Sequence, residues 1–286
     1  RQMCIRDRPT PRVITVTSDS EDGEGVADTG DKVTITGENF GTDPSDISVS
    51  FNGTPAEFEL VDESTIVATT PADYQTGSVT VTIHGYTMTG GAMFNPNSKG
   101  DVTVLYLQNY KQPFAKANDE SWKNGEWWTP AVWNQNAASF NAKGNTTVSG
   151  MQYKSEEGLT LAFQNGWDKE AYTNGKMWQV ATLRPGKYRL EVTYAYTLVV
   201  TDAGNFISVL IAKGDSESDI PNVADLEQLN GVYVAYDKMG TANDSGTLVT
   251  PSFEVTETTD VVIGFLTSLA KGNSYFKVTE LKLILE

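Results

Sequence analysis

Four tryptophans, Trp122, Trp127, Trp128 and Trp133, fall within twelve residues and are interleaved with Lys123, Asn124, Glu126, Asn134, Gln135 and Asn136. A pyranose shows apolar C–H faces and polar edges, so a site for it needs flat aromatic surfaces beside amide and carboxylate groups. This segment supplies both and is a candidate sugar platform. The competing reading is that some of these tryptophans fill a core or cap the end of a sandwich, because Trp carries the largest apolar area of any side chain. Trp127 and Trp128 are adjacent, so in an extended segment they point oppositely, and one anchors the fold while the other meets solvent. A second candidate is Trp167, in the loop Asn165-Gly166-Trp167-Asp168 with Tyr172 and Asn174 nearby, since loops carry binding groups more often than strands do. Trp178, next to Gln179 within a strand, is expected in the core, with only one of that pair facing it. The candidate ligand-binding set is therefore Trp122, Trp127, Trp128, Trp133, Asn134, Asn165, Trp167 and Tyr172.

Catalytic chemistry is poorly served. A single Cys4 and a single His84 exclude an internal disulfide, a zinc cluster and most triads, dyads and imidazole-ligated metals. His84 has no Asp or Glu within three residues and sits at a strand end, which reads as structural. Carboxylates are plentiful, but a glycosidase pair is defined by its separation in space, which sequence does not show. No catalytic residue, no metal ligand and no cofactor is assigned. The acidic run Ser18-Asp19-Ser20-Glu21-Asp22-Gly23-Glu24-Gly25, Asp119-Glu120 and Asp215 to Asp219 have no diagnostic calcium spacing, so a structural calcium ion stays open without assigned residues. Lysine and arginine number 21 against 37 acids, a net charge of −16, which repels nucleic acid and leaves a neutral saccharide undisturbed.

The elements that must hold these residues are strands. The chain of 286 residues suits two domains, each with its own core. From Pro11 to Pro96, Val33 and Ile35 alternate with Thr34 and Thr36, Val49 and Phe51 with Ser48 and Ser50, and Val79, Val81 and Ile83 with Thr80 and Thr82. Each run predicts a strand with one buried face. Turn signals at Asn39-Phe40-Gly41, Asp43-Pro44 and Asn52-Gly53 separate them, and the expected product is a sandwich of about seven strands. This region, through Thr29-Gly30-Asp31-Lys32-Val33-Thr34-Ile35-Thr36-Gly37-Glu38-Asn39-Phe40-Gly41, Val49-Ser50-Phe51-Asn52-Gly53 and Ile66-Val67-Ala68-Thr69-Thr70-Pro71-Ala72, resembles the IPT/TIG family of immunoglobulin-like domains. Its acidic first loop departs from the usual Pro/Gly-rich turn.

Asn95 to Gly100 reads as a polar junction. Beyond it lie all six Trp and ten of the twelve Tyr. Strands are predicted over Gly158 to Gln164, Lys176 to Leu183, Lys187 to Tyr196, Asn205 to Ala212, Gly231 to Tyr236, Thr247 to Val255, Thr259 to Leu266 and Tyr275 to Leu285. A slip of apolar phase near Thr279-Glu280 suggests a bulge, and Val223 to Leu229 reads as a short helix. A jelly-roll sandwich is expected. Met177 to Leu190, with its Arg184-Pro185-Gly186 turn, and the closing run Phe276 to Leu283 resemble the galactose-binding-like jelly rolls of carbohydrate-binding modules. Together with Ile211-Ala212-Lys213-Gly214 and Val262-Ile263-Gly264-Phe265 they resemble, more narrowly, the domain DUF5013 of Bacteroidetes surface lipoproteins.

The expected organisation is all-β: a disordered, non-native tail over 1–10, an immunoglobulin-like (TIG) sandwich over 11–96, and a larger jelly-roll β-sandwich over 97–286. No stretch approaches the ~20 apolar residues of a membrane span. Cys4 lacks the preceding apolar run of a lipoprotein, so any leader or lipoprotein segment is expected to be missing from this chain. The resemblance implies a non-catalytic protein on the outer-membrane surface that captures a neutral polysaccharide or oligosaccharide with the second domain, the first acting as spacer. The alternatives are an adhesive protein that binds other surface proteins, and the accessory part of a glycoside-degrading enzyme.

Overall fold

The computed structural model describes residues 9–20, 23–117, 127–140, 149–166, 171–200, 204–226, 234–239, 245–270 and 272–286. The chain forms two compact units, Arg1–Leu105 and Tyr106–Glu286, and both are built of antiparallel strands. No helix among the described residues is long and apolar enough to cross a membrane.

In the first unit the strands β1 (Arg12–Ser18), β2 (Lys32–Glu38), β3 (Ile47–Phe51), β4 (Thr54–Asp62), β5 (Thr65–Thr69), β6 (Gly77–Ile83) and β7 (Tyr86–Met93) follow the order β1-β2-β5-β4-β3-β6-β7. Strand β4 joins the two layers of the sandwich. Thr54 and Ala56 pair with β3, whereas Glu57 to Asp62 pair with β5. The alternating residues Val33, Ile35, Ile66, Ala68, Val49, Phe51, Val79, Val81 and Ile83 close on one core, as a period of two requires when one face is buried. Asn52-Gly53 and His84-Gly85 both take positive φ at two successive residues, the two-residue turn that matches strand twist. His84 is therefore a turn residue, and its Nδ1 lies 3.1 Å from Asp46 Oδ2.

The polar junction belongs to this unit. Asn95 and Ser98 are buried; Asn95 Nδ2 donates to Tyr74 O at 2.7 Å and Thr76 N donates to Ser98 Oγ at 2.9 Å. These bonds explain why the division falls at Leu105 and not within Asn95 to Gly100. A two-residue strand, β8 (Gly100–Asp101), follows. Tyr74 is fully buried with its ring edge-on to Phe51, and its hydroxyl donates to Ala27 O.

The second unit contains β9 (Trp127–Trp128), β10 (Asn134–Gln135), β11 (Ser149–Lys154), β12 (Gly158–Asn165), β13 (Tyr172–Leu183), β14 (Gly186–Tyr194), β15 (Asn205–Lys213), β16 (Val234–Lys238), β17 (Gly246–Val249), β18 (Phe253–Val255), β19 (Thr259–Leu269) and β20 (Ser274–Leu285). The smaller sheet runs β10-β13-β19-β15-β16; the larger runs β17-β14-β20-β12-β11-β9, with β18 also on β14. Between the sheets lies an aromatic core in which Phe265 touches Phe163 at 5.1 Å and Trp133 at 5.7 Å, and Phe276 touches Tyr194 at 5.4 Å. The predicted slip in β20 is a real bulge, since Thr193 pairs with Glu280 but Tyr194 with Val278. The predicted strand Thr247 to Val255 is two strands. Pro251 cannot donate to a ladder, and Thr250 Oγ1 instead accepts the Leu190 N–H at 3.0 Å. The short helix spans Val223–Leu226, and 227–233 lie outside the described residues.

Two tests follow from these bonds. Tyr74→Phe keeps the ring contact but leaves buried carbonyls without their donor, so denaturant unfolding should show a loss of about 1 to 2 kcal/mol. Glu286 accepts from Ser252 Oγ at 2.7 Å and Arg189 Nη1 at 2.9 Å, and with the Lys187 charge these hold its carboxyl down to about 2. A depressed carboxyl stabilises the fold above its unfolded value and ceases to do so as pH falls toward the folded one. Melting temperature should thus fall between about pH 4.5 and 2, with a shallower fall in Glu286→Gln.

Candidate functional site

Among the described residues, the aromatic platform expected from sequence loses two of its members to the interior. Trp133 is 5 % exposed, packs on Phe265 and donates its Nε1 to Asn109 O at 3.0 Å. Trp127 is 2 % exposed and pairs with Gln152, whereas Trp128 pairs with Met151 and is half-buried. The adjacent pair is thus asymmetric, as an extended segment requires. Asn165 is a structural clamp: its Nδ2 donates to Leu269 O and its Oδ1 accepts Ser274 N, both at 2.9 Å. Tyr172 is buried with its hydroxyl 3.1 Å from Thr267 Oγ1, and burial pushes that hydroxyl's pKa up. Trp127, Trp133, Asn165 and Tyr172 are therefore corrected from ligand surface to interior: the three rings add apolar area to the core, and the Asn165 amide is spent on backbone groups. Asn134 is exposed and pairs with Trp178. Trp122 and Trp167 lie outside the described residues.

Trp178 is buried, but under a second layer. It joins Leu210, Val262 and Leu266 on the face of the smaller sheet covered by Ile220 and Leu226. Gln179 faces the space between the sheets, where its Nε2 and Oε1 bind the Gln108 O and N at 2.6 and 3.1 Å. A polar side chain is tolerated there because both amide groups are satisfied. Gly264 lies in the same row as Trp178 and Leu210; an added Cβ would collide with the Met177 and Trp178 backbone. Lys176 fastens the covering layer, its Nζ donating to Ile220 O at 2.6 Å, and burial lowers its pKa against the opposing pull of Glu217. The acidic run at Asp215 to Asp219 is a turn: Asp219 Oδ2 accepts Ser216 Oγ at 2.6 Å and the Ser216 and Asp215 N–H groups at 3.0 and 3.1 Å. Those bonds, the Ser216 hydroxyl first, lower its pKa. Among the described residues no group of three or more His, Cys, Asp or Glu is placed to hold a metal ion.

A concave site lies elsewhere, between the edge strand β16 and the Pro251–Glu254 corner that separates β17 from β18. This cleft of about 410 Å³ is lined by Lys213, Tyr236, Asp237, Lys238, Ser252 and Glu254, with Phe253 behind. Tyr236 is half-buried and its ring packs on the Trp178 layer, the face of the smaller sheet turned away from that corner. Asp237 anchors the edge: Oδ1 accepts Lys238 N and Oδ2 accepts Val249 N, both at 2.8 Å, tying the two sheets together. Ser252 is fixed by Glu286. Sequence reasoning missed this site because its residues are isolated at three strand ends, with no local clustering; the one signal was Pro251 inside a strand run.

Fold and site define a two-unit β-sandwich protein whose second unit carries a cleft lined by charged and hydroxyl groups. The chain belongs to the family described as Domain of unknown function (DUF5013), whose model matches residues 108–264; an IPT/TIG domain matches residues 23–98. No curated protein sequence matches the chain. Among solved structures it is similar to TmCBM61 in complex with β-1,4-galactotriose, at 11 % identity and TM-score 0.37, covering 63 % of this chain and 100 % of that one. It is similar also to the Stig cyclase Fisc from Fischerella sp. TAU, at 14 % identity and TM-score 0.38, covering 60 % and 96 %. A third is SGBP-B from a xyloglucan utilization locus in Bacteroides uniformis, at 15 % identity and TM-score 0.27, covering 96 % and 73 %. Likenesses this distant carry no argument about ligand or activity.

The interior placement makes a separation. Trp127→Ala and Trp133→Ala should each cost about 3 to 5 kcal/mol in denaturant unfolding, whereas Trp128→Ala should cost clearly less. Equal losses at all three positions would contradict the burial difference.

Proposed function

We propose that this protein is a non-catalytic saccharide-binding protein and that the β16 cleft of the second unit is its binding site. The observation that carries the reading is the cleft itself: its volume of about 410 Å³ is within the range of small-ligand sites, and Lys213, Asp237, Ser252 and Glu254 bring hydrogen-bonding groups to it. Saccharide hydroxyls pair with such donors and acceptors. The absence of catalysis is supported by the single His84, held in a turn, and by Asp237, whose two oxygens each accept a backbone N–H. The first unit serves as a spacer, and the setting is the outer surface of a bacterial cell.

A second reading, protein adhesion, is favoured by one observation: Tyr196, Leu198 and Val200 are exposed apolar residues on one short segment. Strand β14 ends at Tyr194, and Tyr196 takes a positive φ.

The deciding experiment is a glycan array on the whole chain followed by calorimetry with Lys213→Ala. Loss of a hydrogen-bonding group of the cleft should weaken binding at least about tenfold without lowering the melting temperature by more than a few degrees. Glycan binding that survives Lys213→Ala would move the site elsewhere, and saccharide hydrolysis lost on Glu254→Gln would make the protein an enzyme.

A further inference from the structure

Gln152 and Thr160 stand opposite each other in the β11–β12 ladder, so their side chains share one face of the larger sheet. Trp127 pairs with Gln152 from β9 and lies on that face too. Phe163 and Phe276, of the opposite phase, fill the core, so the shared face is the outer one, turned away from the smaller sheet. Gln152 is nonetheless only 4 % exposed and Thr160 is fully buried. Gln152 Oε1 and Thr160 Oγ1 are buried without a hydrogen-bond partner, and so is a third atom, Thr129 Oγ1. Thr129 follows Trp128 directly, and alternation along an extended chain carries it to the Trp127 side. A buried polar atom without a partner destabilises the empty fold, and native proteins hold few of them. Here three fall on one face, one carbonyl that accepts and two hydroxyls that both donate and accept.

The charge on this face is balanced. Lys277 stands opposite Ala162, the next outward residue of β12 after Thr160, and its buried ammonium is paired with Glu157. The pair cancels its own charge, so the face offers hydrogen bonds and no net charge. The following pair on the same face is Gln164 with Tyr275. Both are partly exposed, and the Lys277 ammonium lies 5.1 Å from the centre of the Tyr275 ring. The polar face is thus bounded by buried Trp127 at β9 and reaches solvent at Gln164 and Tyr275.

The Gln152 carbonyl needs a donor, and the Thr160 hydroxyl beside it takes either role. One ligand hydroxyl serves both, donating to Gln152 Oε1 while it accepts from Thr160 Oγ1 across the ~5 Å between cross-strand neighbours. Adjacent hydroxyls of an uncharged sugar extend the set to Thr129, and its apolar C–H face suits the Tyr275 ring at the opening. We propose that the outer face of the larger sheet is a second binding site of this unit, for a neutral saccharide, with Gln152 and Thr160 as its innermost contacts. It rests on the saccharide-binding reading for the class of ligand and shares no residue with the β16 cleft.

The test uses the whole chain and three neutral oligosaccharides, cellotetraose, mannotetraose and β-1,4-galactotetraose. Calorimetry and melting curves are run on the parent protein, on Lys213→Ala and on a double variant that joins Gln152→Met to Thr160→Val, two apolar side chains of similar size. The expected parent isotherm has two binding events per chain with at least one of the sugars. The double variant should lose one event, its affinity falling at least about tenfold, and Lys213→Ala should remove the other. Without ligand the double variant should melt at or above the parent temperature, because it discards buried atoms that have no partner in the empty protein. A double variant that melts well below the parent in the absence of ligand, whatever it does to binding, would assign these atoms to contacts or water inside the fold and overturn the second site. Binding removed by Lys213→Ala and untouched in the double variant would overturn it while leaving the cleft reading intact. Binding removed in the double variant and untouched in Lys213→Ala would do the reverse, and failure of all three sugars to bind the parent would overturn both.

Discussion

The aromatic contact set between the two sheets of the second unit is the constraint on which the rest of that unit depends. Phe163, Phe265, Phe276, Tyr194 and Trp133 meet at centroid distances between 5.1 and 6.4 Å, and each belongs to a different strand or connection. Stacked sheets stand about 10 Å apart, a gap that large rings fill from both sides. Filling it with rings consumes the residues that would otherwise be the natural ligand platform. The concavity that remains lies at an edge, lined by hydrogen-bonding groups.

The strand pattern was largely legible because alternation is a local signal. Val33 and Ile35, or Leu190 and Val192, declare their inward face by a period of two, and Asn52-Gly53 declares its turn by residue type. The bulge opposite Thr193 was readable for the same reason, as a break in phase along β20. What alternation does not reveal is a sheet buried on both faces. Trp178 and Gln179 are both covered, one by the Ile220 and Leu226 layer and the other by the opposite sheet. The covering layer comes from a connection some forty residues away in sequence, so no local window contains it. The polar junction at Asn95 to Gly100 misled in the opposite direction: its residue types suit a free linker, yet Asn95 and Ser98 are buried and bonded to Thr76 and Tyr74.

The site was less legible than the fold, and for a definite reason. Crowded tryptophans are conspicuous in a sequence, but their apolar area serves a core as well as a ligand, and burial decides between the two. Trp127 and Trp133 went to the interior; Trp128 stayed half-exposed. Lys213, Tyr236 and Ser252 are inconspicuous in sequence, each single in its neighbourhood, and become a cleft only when β15, β16 and the corner after β17 are brought together.

That corner is where local chemistry and site formation join. A continuous strand from Gly246 to Val255 would run straight along β14 and present a flat edge. Pro251 lacks the N–H for that ladder and forces a break, Thr250 Oγ1 accepts the Leu190 N–H, and the chain steps aside at Pro251 and Ser252. Across from this step, β16 is only five residues long and ends in Asp237 and Lys238, the charged, short form that keeps an open edge from pairing with another sheet. Asp237 then ties the two sides together through Val249. The devices that prevent edge-to-edge association thus leave behind, among the described residues, a bounded, polar concavity between the two sheets.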